Sequence, residues 1–368
     1  RKNHEVGTCS GNTSAQVLLI NKIVENKMKK IIISTLAVIV LSSIVLGQSS
    51  RMGTASSTQL LVAPSARYLA GGGAAASAVG LDATFWNPAG LAQSENAIDA
   101  IFSNRQYIAG IDNNFFGVST DLGALGRVGL TARTFNIGNI KETTVYAPDG
   151  TGEEFTPSFS IIGASVSKIL SDNTSVGINA NLVRESFGRV AASGLAFDLG
   201  VQYRGLFLDD LNVGFVLKNF GQPVKYEGEG LGVLATANES DRPLEYYKID
   251  AASFDLPFSF DMAVGYTVAG ADLGLTYTSN YYATDEIKFG ASYDVAGMAT
   301  VSVGYQQSGV AQGDDSESEW YVNPFDGVSF GGSLNLQNLI GMNLSVDFAS
   351  LQAGAFGTNN VITLRMGL

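Results

Sequence analysis

"LAFDLGVQYR", residues 195–204, sets Leu195, Phe197, Leu199, Val201 and Tyr203 against Ala196, Asp198, Gly200, Gln202 and Arg204. The period is two. Successive side chains of an extended strand leave on opposite faces, so this stretch has one oily face and one face of small or polar residues. The pattern returns where Val213, Phe215 and Leu217 face away from Asn212, Gly214 and Lys218, and where Leu273, Leu275 and Tyr277 alternate with Asp272, Gly274 and Thr276. It returns again where Ile287, Phe289, Ala291 and Tyr293 alternate with Glu286, Lys288, Gly290, Ser292 and Asp294.

About fourteen such runs follow one another: 97–104, 113–122, 127–137, 158–170, 174–187, 193–206, 212–219, 257–268, 271–280, 284–294, 298–308, 327–335, 342–351 and 359–368. Most are about 8 to 13 residues, longer than a typical strand of a soluble sheet and near the length that crosses a bilayer. The spacers alternate too. Those at 123–126, 171–173, 207–211, 269–270, 295–297 and 336–341 are short, and every long one (138–157, 220–256, 309–326) falls between them. Tight turns at one end and long loops at the other are what a transmembrane barrel requires, and an even strand number puts both chain ends on one side. Tyr203, Tyr266, Tyr277, Tyr293 and Tyr305 fall toward run ends on oily faces, as interfacial girdle residues do. An exported β-sandwich or propeller also buries alternate residues, but does not explain the loop asymmetry. The expected fold is all-β: a 14-stranded antiparallel transmembrane β-barrel over 97–368, preceded by a short N-terminal plug over 48–96.

Ahead of that plug, "MKKIIISTLAVIVLSSIVLGQ" (28–48) has two lysines, an apolar run and a small residue, the layout of a secretory signal peptide. The expectation is a signal peptide at 28–47 with 1–27 as an upstream extension. His4 and Cys9, the one histidine and the one cysteine, both lie in that extension. The remainder then offers no zinc site, disulfide, thiol nucleophile or histidine-based triad. It carries 16 basic and 32 acidic residues, a net charge of −16. Such acidity speaks against nucleic acid as a partner. No enzyme activity, cofactor or metal site is expected; the acidic run Asp314, Asp315, Glu317, Glu319 lacks the ordered spacing of a calcium loop and reads as solvated surface. Asp198, Arg204, Lys218, Glu286, Lys288, Asp347 and Arg365 are expected to form a charge network in a polar interior.

"SARYLAGGGAAASAVGLDATFWNPAGLA", Ser65 to Ala92, resembles the N-terminal signature of the PorV/PorQ family of outer-membrane proteins. Ala66, Arg67, Gly72, Gly73, Ala74, Trp86, Asn87, Pro88, Ala89, Gly90, Leu91 and Ala92 carry the likeness, and Ser175 to Arg204 is similar to the family's mid-barrel region. The final "VITLRMGL" resembles the terminal assembly signal of outer-membrane barrels, with Leu368 where an aromatic is usual. The family is related to the FadL-type channels, whose barrel is occluded by an N-terminal hatch with a similar Asn-Pro-Ala element. The resemblance implies a protein of the outer membrane of a Gram-negative bacterium, in contact with outer-membrane lipids. It implies a cargo-binding or accessory role in type IX protein secretion, with C-terminal signal domains of secreted cargo and other secretion components as partners. The alternative is a FadL-like passive channel for hydrophobic small molecules. A deacylase, known among relatives, would lack any histidine.

Read from the residues alone, Asn87-Pro88 starts a turn, Pro88 removes a backbone donor, and Gly90 permits conformations that other residues resist. Arg67, Gly72, Gly73, Trp86, Asn87, Pro88 and Gly90 are therefore the candidate plug motif, although a plain turn before the first strand would use the same chemistry. Phe254, Phe258, Trp320, Tyr321 and Phe325 are the candidates for loop residues facing a ligand or partner.

Overall fold

The computed structural model describes residues 51–235, 245–309 and 323–368. The expected extension and signal peptide, the acidic run at 314–319, and Trp320 and Tyr321 lie outside the described residues.

Alternation becomes strand wherever it was read. The barrel strands are β1 (Ile98–Gln106), β2 (Asp112–Asp121), β3 (Arg127–Asn136), β4 (Ser158–Ser171), β5 (Thr174–Phe187), β6 (Val190–Tyr203) and β7 (Leu211–Gly221). They continue as β8 (Ser259–Val268), β9 (Ala271–Asn280), β10 (Glu286–Val295), β11 (Ala299–Ser308), β12 (Gly327–Asn335), β13 (Asn343–Gln352) and β14 (Thr358–Gly367). Each pairs antiparallel with the next, and β14 returns to β1 with Leu364 opposite Phe102, which closes the sheet. Closure leaves no edge strand, so every wall position can satisfy its backbone without water. The β6 run begins at Val190 rather than 193. Gly188, at φ 57°, takes the left-handed conformation that lets the chain reverse within two residues.

The faces are inverted relative to a water-soluble protein. Ile162, Leu182, Leu195, Phe330 and Ile362 are exposed on the outside, whereas Ser103, Asn113, Asn179 and Asp347 are buried inside. An apolar exterior around a polar lumen is the solution for a barrel whose outer solvent is lipid. At one end the connections are short (122–126, 172–173, 204–210, 269–270, 296–298, 336–342); the long ones, 137–157, 222–258 and 309–326, are all at the other. The first end also carries the start of β1 and the end of β14. We refer to the long-loop end as the upper one.

Residues 51–97 fill part of the lumen with short helical turns: Thr58–Leu61, Ala74–Ser77, Gly80–Asp82, Ala83–Trp86 and Pro88–Gln93. Pro88 opens its turn where a missing N–H costs nothing, and the Asn87 side chain accepts from Ala89 N at 3.1 Å as its cap. The wall receives this segment on glycines. A β-carbon at Gly214 would stand 2.0 Å from Ala75 O, one at Gly177 2.3 Å from Pro88, and one at Gly290 2.3 Å from Ala70 O. The aromatic turn is thus a wall-seated plug element rather than a free lead-in to β1.

Charge fixes it further. Arg365 on β14 reaches Asp82 of the plug at 2.7 Å and Asp347 of β13, while Arg67 lies 3.7 Å from Asp347. Arg127 of β3 pairs with Asp99 at 2.6 Å and donates to the backbone oxygens of Ser94 and Asn96.

Candidate functional site

Above the plug the lumen holds a cavity of about 440 Å³, within the size range of small-molecule sites. Leu60, Val62, Ile111, Phe135 and Phe159 form its apolar lining, and the inward Ile161, Val183, Ala192 and Ala196 of β4 to β6 pack behind them. Leu60 and Val62 of the plug and Val224 and Leu256 of the β7–β8 loop belong to the same apolar cluster. That loop also continues the wall: residues 227–228 pair with 190–191, and Val224 covers Gly194. The floor is Phe85 and Trp86, whose rings meet edge to face at 5.0 Å. The ceiling is Tyr107 stacked on Phe325 at 5.5 Å, with the Arg105 guanidinium over both rings. Burial raises the Tyr107 phenol above its ordinary pKa, an effect that Arg105 opposes.

Polar groups line the remaining side. Lys218 pairs with Asp261 at 2.7 Å and Lys288 with Glu286 at 3.0 Å, both facing the lumen. Asp198 is held by neutral donors, Asn181 Nδ2 at 2.9 Å and the Asn219 backbone N–H at 2.8 Å. Asn219 is a bulge in β7 with φ 58°, set where two residues oppose one on β6. Arg105 and Arg133 are both buried and, among the described residues, have no carboxylate in ion-pair contact. They donate instead to plug carbonyls, Arg105 to Ala63 O at 2.6 Å and Arg133 to Val62 O at 3.3 Å. A guanidinium in this setting keeps unused N–H groups beside the cavity, and the Trp86 indole N–H, also buried, has no partner. The chamber is therefore oily over one part and rich in donors over another.

Of the candidate plug and loop residues, Gly72, Trp86 and Phe325 line this cavity, as do Asp198, Lys218, Glu286 and Lys288 of the expected charge network. Asn87, Pro88 and Gly90 are buried inside the plug, Gly73 lies against Gly274, and Arg67 sits below, against Ser333, Ser345 and Asp347. Phe254 is exposed in a two-residue ladder with Val224, and Phe258 accepts from Tyr281 N at 3.1 Å; neither lines the cavity. Their sequence neighbour Leu256 is buried in the apolar cluster behind the cavity lining. The expected charge network is realised in pairs, apart from Asp198 and from Arg204, which is exposed just beyond β6 at the lower end. Arg105, Arg133 and Asp261 escaped the sequence reading, although each occupies an inward position of its strand.

No protein-family model matches the chain, and no curated protein matches it in sequence. Among solved structures, a mutant of the TodX monoaromatic hydrocarbon channel superposes with TM-score 0.52 at 11% identity, covering 83% of this chain and 98% of that one. A FadL homologue from Pseudomonas aeruginosa gives TM-score 0.50 at 13% identity, with 87% and 98% covered. At such identities the likeness is one of fold: this chain has the fourteen-stranded barrel architecture of FadL-type structures. The narrower PorV/PorQ resemblance receives no support from these comparisons.

Proposed function

We propose that the protein is a passive outer-membrane channel of a Gram-negative bacterium that takes up small hydrophobic or amphiphilic molecules. The observation that carries this reading is the cavity above the plug, lined over one part by Leu60, Val62, Ile111, Phe135 and Phe159 and over another by Arg105 and Arg133. Such a lining suits a molecule with an oily body and at most one polar end. The fold shared with a hydrocarbon channel supports it. The type IX secretion reading rests on the Ser65–Ala92 resemblance together with long loops able to clasp a partner, and the comparisons lend the resemblance no support. The described part of the β7–β8 loop instead spends Val224 and Leu256 on its own barrel, so no observation favours that reading.

Trp86 provides the test, since the chain has two tryptophans and the other, Trp320, can be removed. In a Trp320→Phe background the purified protein is titrated with toluene and with decanoate. Saturable change in Trp86 emission with either is expected; a flat response to both would sink the proposal.

A further inference from the structure

A second cavity, of about 380 Å³, lies below the plug and is lined by Asn212, Asp272, Ser292, Asp294, Ser302 and Asn335 among others. Its position relative to the upper one can be read strand by strand. On β9 the upper cavity reaches Thr276 and the lower one Gly274; on β10 the upper reaches Lys288 and the lower Ser292; on β11 the upper reaches Gln306 and the lower Ser302. One row of cross-strand partners, Gly274, Gly290 and Gly304, runs between them on β10 and β11 and borders the lower one on β9. The plug stretch Tyr68–Gly73 lies on that row: a β-carbon at Gly274 would stand 2.1 Å from Gly73 N, and one at Gly304 2.5 Å from Ala70 O. At β10 and β11 the cavities approach within four strand positions, about 13 Å, and at β9 within two, about 7 Å. Tyr68 lines both cavities.

Among the described residues the wall offers no comparable opening. Pairing on both sides of β1, β2 and β3 is continuous, and the irregularities in the barrel ladders are beside the 172–173 turn and at the Asn219 bulge. That bulge is occupied, with the Asn219 backbone N–H on Asp198 and its side-chain amide on Pro257 O at 3.0 Å. The plug itself is anchored by ions at Asp82 and Arg67 and by Asn87 on the opposite wall. Over Tyr68–Gly73 the side-chain bond to the wall is that of Thr276 Oγ1 to Gly72 O at 2.5 Å, and those within the plug are of Val79 N to the Tyr68 hydroxyl at 3.2 Å and of Ser77 Oγ to Gly73 O at 3.1 Å.

From this geometry we infer that passage runs axially through the lumen on the β8–β12 side, and that Tyr68 with the Gly71–Gly73 strap is the constriction between the entry cavity and the lower vestibule. The route rests on the channel reading, while the constriction itself can be measured without any ligand. Glycines on the wall let the strap seat without side chains, so displacing it breaks few contacts. The phenol ring is the one large side chain of the strap shared by both chambers.

The test is conductance in planar bilayers, using wild type, Tyr68→Ala and Phe330→Ala, the last of which alters only the exposed outer face of β12. Ser302→Cys in a Cys9→Ser background adds a thiol in the lower vestibule. Tyr68→Ala is expected to raise conductance clearly above wild type, to lose that gain when a bulky thiol reagent modifies Ser302→Cys, and to speed toluene entry into proteoliposomes; Phe330→Ala leaves conductance near wild type. Should the alanine variant not fold, Tyr68→Leu retains an apolar contact with the plug and takes its place. A folded Tyr68 variant as silent as wild type would overturn the inference, as would raised conductance with unchanged toluene entry, which would place the exit elsewhere. Raised and blockable conductance with no Trp86 response to any hydrophobe would uphold the constriction while removing the hydrophobic-channel reading.

Discussion

Asn87 and Gly200 meet so closely that a β-carbon on Gly200 would stand 2.0 Å from Asn87 Oδ1 and 2.8 Å from Pro88 Cδ. The Asn87 amide cannot step aside, because its Nδ2 donates to Ala75 O at 2.6 Å and to Val201 O at 3.0 Å. One asparagine thus ties two turns of the plug to the barrel wall.

Gly200→Ala is expected to destabilise the protein by about 1–3 kcal/mol, the usual cost of overpacking a fitted interior. Asn87→Ala removes three bonds, taking the acceptor from the buried Ala89 N–H and leaving Ala75 O with the longer 3.3 Å bond from Gln202 Nε2, for a loss of about 1–3 kcal/mol. Urea midpoints of the purified barrel, read by tryptophan emission, check both. Wild-type midpoints would show that the motif does not hold the plug.

Arg365 is the single cation between two fully buried carboxylates, Asp82 of the plug and Asp347 of β13. Arg365→Ala leaves Asp82 without its ion pair and Asp347 with Arg67 alone, at 3.7 Å, and is expected to cost about 3–5 kcal/mol. Arg365→Lys should recover only part of this, since an ammonium cannot direct a planar fork at two separate carboxylates. Equal midpoints for the lysine variant and wild type would show that charge alone suffices.

Asp326 begins the return from the β11–β12 loop into β12, beside the lid residue Phe325, and accepts from Ser308 Oγ at 2.8 Å. Burial raises its pKa above the ordinary aspartate value, with the Ser308 hydrogen bond opposing and nearby Glu286 adding to the rise. A raised acid favours the folded loop when protonated. Its contribution is fully present below the unfolded value, near 3.8, and is lost as pH rises through the folded value. Proteolysis of this loop should therefore quicken as pH rises across that window. Asp326→Asn should flatten the profile; an unchanged profile would exclude Asp326 as its cause.

The barrel was legible in the chain because period-two alternation is a local property. Leu195 and Phe197 point outward whatever their neighbours are, and loop lengths show which turns share an end. The plug motif was legible as a compact turn, since Pro88 and the glycines act on their own backbone. Where these pieces meet depends on register between distant residues: Arg105 finds Asn359 at 2.9 Å across the β1–β14 seam, and Gly274, Gly290 and Gly304 fall into one row only after three strands pair. Inward parity alone could mark Arg105, Arg133 and Asp261 as lumenal, but not whether each would meet a counter-charge. Alternation itself determined the membrane barrel. Closure of the sheet decided which lumenal charges are paired, which loop residue is buried, and where the plug leaves space, because each of these is a contact between residues that sequence proximity does not bring together.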